Sequence, residues 1–165
     1  MRTDAGGLAE IDLSRAEHDP ATAVVGEAIT GCQPVRVALS PDGKIAWVTA
    51  QMSNTLQAFD TSRIVTDPRH ALLATVVVGP NPTGLLLLNR GQYALVTNSD
   101  RWARPQTPQS ISVVDTQRAL AGQPSLVGNL PAGIFPRDLT RTGGDIAVTN
   151  FGSETISLIA ATTIP

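Results

Sequence analysis

The chain has 165 residues, 42% of them apolar and 16% charged, which is the composition of a folded domain rather than a disordered one. A net charge of -2, with the twelve Lys and Arg scattered along the sequence, excludes nucleic acid and an anionic membrane surface as partners, because both need a concentrated basic face. The longest charge-free apolar run, near Gly84 to Asn89, falls far short of the ~20 residues of a membrane span.

Met1 is followed by Arg2, Thr3, Asp4 and two glycines, which is not a secretory leader. That start leaves two expectations, a cytoplasmic protein or a chain whose true beginning lies upstream. The first predicted strand is "GLAEIDLSR", Gly7 to Arg15, breaking at Asp12. Cys32 follows. As the single cysteine it has no disulfide partner, and with only His18 and His70 in the chain it builds no zinc site. No metal is expected.

From Pro34 the chain reads "PVRVALSPDGKIAWVTAQMSNTLQAFDTSR", three short apolar strands separated by the turns "SPDGK" and "MSN" and followed by a fourth strand, "ATVVVG". From Pro82 it repeats as "PTGLLLLNRGQYALVTNSD", then "SISVVDTQR" and "PSLVGN". A last copy runs "PRDLTRTGGDIAVTNFGSETISLIA" from Pro136. The opening prolines are 48 and 54 residues apart. Asp12, Asp60 and Asp115 precede the next opening proline by 22, 22 and 21 residues, and each is followed three residues on by an arginine. The middle copy carries seven extra residues between its second and third strands, within the long connection "NSDRWARPQTPQ".

The period within each copy is two, so no helix is expected. A four-stranded antiparallel unit repeated at about 45 residues is the mark of a propeller blade, which stays dry only when stacked on neighbours. The fold expected is all-β, a partial β-propeller of about three blades. Residues 1–33 end one blade, 34–81 and 82–135 form two more, the latter with the insertion, and 136–165 begin a last, incomplete one. An unclosed set of blades leaves apolar faces in water. The expected partners therefore include the remaining blades of the same propeller, with this chain its C-terminal part, or a second copy of the chain.

The phrases "IAWVTAQMSNTLQAFD", "ALVTNSD" and "IAVTNFGSETISLIA" resemble the YVTN repeat family of β-propellers, with Trp47, Leu95 and Ala147 at the tyrosine position and Ala50 at the first asparagine. The resemblance implies a seven-bladed ring, a last blade completed by a strand from elsewhere, and a periplasmic or extracellular location. It also implies relatives that include lactone-hydrolysing enzymes, dehydrogenase subunits and binding proteins. The recurring asparagine, Asn98 and Asn150, is expected to stop the strand by bonding its own backbone or turning left-handed, and the three aspartates to close turns.

Function is expected on the face built from "GCQPVR", "GPNPTG", "AGIFPRD" and the connections after the "VT" strands, because loops on a rigid scaffold carry sites. Arg101, Trp102 and Arg104 in the insertion suit a ring or an anionic group through stacking and forked hydrogen bonds, with Arg137 and Asp138 beside them. No nucleophile elbow, phosphate loop or dinucleotide fingerprint occurs, so no cofactor is expected and no catalytic residue is assigned. The reading is a binding scaffold for a protein or small molecule. The alternative is a lactonase-like hydrolase of a sugar lactone using Arg101, Arg104, Arg137 or Asp138.

Overall fold

The computed structural model describes residues 5–103 and 105–164. Among the described residues thirteen strands form four antiparallel sheets, each wound up and down in chain order. The first holds β1 (Ala5–Ile11) and β2 (Val24–Cys32). The second holds β3 (Pro34–Leu39), β4 (Ile45–Ala50), β5 (Thr55–Asp60) and β6 (Leu72–Val77). The third holds β7 (Pro82–Leu88), β8 (Tyr93–Asn98), β9 (Ser110–Asp115) and β10 (Leu126–Pro131). The fourth holds β11 (Pro136–Thr142), β12 (Asp145–Asn150) and β13 (Thr155–Ala160). The architecture is a partial β-propeller, and no described helix is long and apolar enough to cross a membrane.

Three apolar clusters lie between successive sheets, and the alternation of side chains along a strand explains them. Val48 packs back with Ala28 and Leu8 of the first sheet. Its neighbour Trp47 points the other way and meets Val96 of the third sheet. Leu95 in turn meets Val148 of the fourth. The valine of each repeated phrase thus faces the preceding sheet, and in the second and third sheets the residue before it faces the following one. Full burial of such a side chain is worth about 1.5–3 kcal/mol, so each interface is apolar at its centre for good reason.

The threonine of the phrase ties strands across and within sheets. Thr49 donates its hydroxyl to the carbonyl of Thr83 in the next sheet at 3.2 Å. Thr97 accepts the backbone N–H of Gly84 at 2.6 Å, where β7 bulges against β8.

The asparagine does something different from the expectation. Asn150 is extended, with φ -110, and is buried. Its amide donates to Ser157 at 2.9 Å on β13, and its oxygen accepts the N–H of Gly133 at 2.9 Å from the connection entering the sheet. Asn98 likewise donates to Ser110 and Ser112, at 2.8 and 3.0 Å. A buried amide has to find partners wherever they lie, and the hydroxyls of the neighbouring strand lie nearer than its own backbone.

Short helices also correct the sequence reading. α1 (Leu13–His18), α2 (Thr61–Thr66) and α3 (Thr116–Leu120) follow β1, β5 and β9 directly. Asp12, Asp60 and Asp115 are their N-caps, accepting from Arg15 N, Ser62 N and Arg118 N, each at 3.0 Å. Five or six residues are too few to show a 3.6 period, so the aspartate alone marks them. The Asp12–Arg15 and Asp60–Arg63 ion pairs, both 3.5 Å, are surface contacts worth less than about 1 kcal/mol. His18 and His70 are exposed in these same connections.

Both ends of the stack carry exposed apolar side chains: Ile11, Val24 and Ile29 on the first sheet, Ile156 and Leu158 on the fourth.

Candidate functional site

The connections that enter each sheet share one local structure. Gly31, Gly79 and Gly133 each stand three residues before the opening proline. Between them Gln33, Asn81 and Phe135 are left-handed, with φ of 53, 50 and 53. Non-glycine residues adopt this conformation at a cost and persist there when the surroundings over-determine it. The surroundings here are hydrogen bonds: the carbonyls of Gln33, Asn81 and Phe135 accept the N–H groups of Gln51, Ser99 and Phe151, at 2.9, 3.1 and 3.0 Å. Each left-handed residue thereby joins the connection entering its sheet to the one leaving the second strand. Glycine is required three residues before the proline, because a Cβ on Gly133 would lie 2.6 Å from Asn150 Cγ.

These connections surround a cleft of about 330 Å3 at one end of the second, third and fourth sheets. Gln33, Gln51 and Met52 line it from one side, Phe135 and Arg137 from the other, and Arg101 and Trp102 from the inserted loop. Three sequence-nominated residues, Arg101, Trp102 and Arg137, therefore converge on one space. Asp138 does not line it: it lies on β11, where its carboxylate accepts its neighbour Leu139 N at 3.0 Å. Arg104 lies outside the described residues.

The inserted loop is anchored at several points. Asp100 Oδ1 accepts Trp102 N at 3.0 Å and the Asn81 amide at 3.3 Å. Gln109 Nε2 donates to the carbonyl of Asp100 at 2.6 Å, and Gln109 N to the carbonyl of Gly133 at 3.1 Å. Gln109 Oε1 is buried without a hydrogen-bond partner among the described residues.

Both guanidiniums of the cleft lie over aromatic rings, Arg101 over Trp102 and Arg137 over Phe135, each 5.1 Å from the ring centre. Phe151 meets Phe135 edge to face at 5.7 Å. Neither arginine has an ion-pair partner among the described residues. Among the described residues no carboxylate lines the cleft. Its hydroxyls are engaged already: Thr83 donates to the carbonyl of Asn81 at 3.1 Å, and Ser99 to that of Pro136. The cleft therefore presents donors and positive charge over an aromatic floor. Among the described residues no group of acidic, His and Cys side chains could hold a metal ion.

Phe135 and Asn81 were not singled out from the sequence. The signal that marks them is the recurring Gly-x-x-Pro, which places one residue of each connection, always next to the proline, at the rim of the cleft.

No family model and no curated protein matches the chain. Solved structures do match. A periplasmic gluconolactonase of Pseudomonas aeruginosa is 20% identical with a TM-score of 0.68, over 95% of this chain and 44% of that one. A 6-phosphogluconolactonase-like protein of Bacteroides fragilis is 20% identical with a TM-score of 0.60, over 76% of this chain and 34% of that one. Hydrazine synthase of Kuenenia stuttgartiensis is 20% identical with a TM-score of 0.59, over 86% and 41%. The chain thus spans less than half the length of each. At this identity the likeness establishes the fold, that of the β-propellers to which lactonases also belong.

Proposed function

We propose that this chain is the ligand-binding part of a β-propeller whose cleft takes a small anionic molecule with a flat or ring-shaped body. The observation that carries the reading is the pair of guanidiniums, Arg101 and Arg137, which line one cleft and have no ion-pair partner among the described residues. An arginine stacked on an aromatic ring keeps its forked N–H groups available and in a fixed plane, which is the arrangement that recognises a carboxylate or phosphate. Trp102 and Phe135 supply the apolar surface for the body of the ligand.

A second reading, hydrolysis of a sugar lactone, is favoured by the names of the similar propellers from Pseudomonas aeruginosa and Bacteroides fragilis. The guanidiniums suit it as stabilisers of the negative charge that develops on the attacked carbonyl. A group to activate water would have to come from beyond the residues that line this cleft.

One experiment separates the two. D-glucuronate binding is measured by titration calorimetry, and turnover of D-glucono-δ-lactone by proton release, for the wild type and for Arg101→Ala and Arg137→Ala. Binding without turnover, weakened about tenfold or more by either change, supports the binding module; about tenfold corresponds to 1.4 kcal/mol. Turnover above the spontaneous rate that both changes abolish supports the hydrolase. Neither binding nor turnover removes both readings.

A further inference from the structure

A second and larger cleft, about 590 Å3, lies at the opposite end of the strands, between the β3–β4 turn, the β7–β8 turn and α3. It shares no residue with the cleft of Arg101 and Arg137. We propose that it is a binding site for a neutral sugar, with Trp47 at its floor and Asp42, Asn89, Arg90, Gln92 and Gln117 around it.

Trp47 is 1% exposed and lines this cleft, and its indole N–H makes no hydrogen bond to any described residue. A donor at the floor of the cleft that no described protein group occupies is available to a ligand oxygen. The side chains of Asn89, Arg90 and Gln117 also make no hydrogen bond to other described residues, although they surround the same space. Asp42 is held below the usual carboxylate range by the Ser40 hydroxyl, 2.6 Å away, and by Lys44 N–H. It therefore stays an acceptor at any ordinary pH.

The lining is one carboxylate, one guanidinium, side-chain amides and an indole, against Pro41, Ile45 and Leu120. Opposite charges in equal number give no preference for a net ionic ligand. Amides and an indole offer donors and acceptors in mixture, which is what hydroxyls need, since each both donates and accepts. Apolar walls suit the C–H faces of a pyranose. The volume is within the range of small-molecule sites.

The site is also built to hold its shape. Asn89, Arg90 and Gly91 are successive left-handed residues, with φ of 49, 57 and 87. The other two turns of this kind have a single residue with positive φ each, Gly43 and Gly143. Gly91 abuts the neighbouring sheet, where a Cβ would lie 2.9 Å from Pro41 Cδ. The Thr116 hydroxyl donates to the carbonyls of Gly91 and Gln92, at 2.6 and 3.0 Å. Arg90 is thus presented from a turn clamped on two sides.

The test uses the two tryptophans of the chain, Trp47 and Trp102. In Trp102→Phe, Trp47 emission is titrated with D-glucose, cellobiose and N,N′-diacetylchitobiose to about 50 mM, enough to saturate a site of millimolar affinity. A saturable change with at least one sugar is expected, weakened about tenfold by Arg90→Gly, which suits the left-handed backbone, and by Gln117→Ala. The same titration followed at the Trp47 indole N–H resonance of the wild type covers the case in which Trp102→Phe does not fold. An emission or resonance that moves with none of the sugars overturns the proposal, as does a response that neither substitution alters.

Discussion

The side-chain oxygen of Gln57 accepts the backbone N–H of Gly31 at 2.7 Å. In the fourth sheet the equivalent bond, to Gly133 N, is made by Asn150 at 2.9 Å. The second sheet has Ala50 where the others have asparagine, and a longer amide on the adjacent strand replaces it. Two substitutions at neighbouring positions thus preserve one hydrogen bond. Gln57→Ala leaves Gly31 N without its acceptor and is expected to cost about 1–3 kcal/mol. Thermal unfolding of Gln57→Ser, Ala50→Asn and the double variant checks the exchange: the double variant, which copies the other sheets, should recover most of what Gln57→Ser loses.

Asn98→Leu and Asn150→Leu remove amides that satisfy hydroxyls of the next strand. Each change strands at least one buried polar group, so each is expected to destabilise by about 1–3 kcal/mol per orphaned group in denaturant titration. Melting equal to the wild type in both would remove the structural role assigned to the phrase.

Asp60 caps α2, and the Ser62 hydroxyl at 2.7 Å, ahead of the backbone N–H groups, holds its carboxyl below the usual carboxylate range. A carboxyl depressed in the folded state adds stability above its unfolded pKa and loses it as pH falls through the folded value. Asp60→Asn keeps a capping side chain but removes the charge. The melting difference between wild type and variant should hold steady above about pH 5 and shrink below about pH 4. A difference that grows on acidification contradicts the assignment.

Ile156 and Leu158 at one end of the stack and Ile11 and Ile29 at the other are each more than half exposed. At ~25 cal/mol per Å2, a few hundred Å2 of such surface favours association by several kcal/mol. Sedimentation velocity of this chain alone is expected to show concentration-dependent self-association. Ile156→Glu with Leu158→Glu should shift it towards the monomer. A wild type that remains monomeric at high concentration would remove the expectation that these faces need a partner.

Strands and their facing were readable because they repeat. Val48, Val96 and Val148 stand in one register, and burial on the preceding sheet follows from a period of two. The aspartates showed where strands end but not that helices begin there, since a helix of five or six residues has no periodicity to detect. The exchange of Ala50 and Gln57 was hidden for a different reason: it is a contact between neighbouring strands, invisible along one. At the cleft, the composition of the inserted loop drew attention to Arg101 and Trp102. Phe135 gave no such signal, because its importance comes from a left-handed backbone and a guanidinium two residues on.

The central claim is that Arg101 and Arg137, from separate connections, act together on one anion. Titration calorimetry of D-glucuronate into the wild type, both single alanine variants and the double variant tests it most directly. The account predicts saturable binding in the wild type, a loss of about tenfold or more in each single variant, and coupling between the two, since both changes remove contacts to the same ligand. Wild-type affinity retained in the double variant would contradict it.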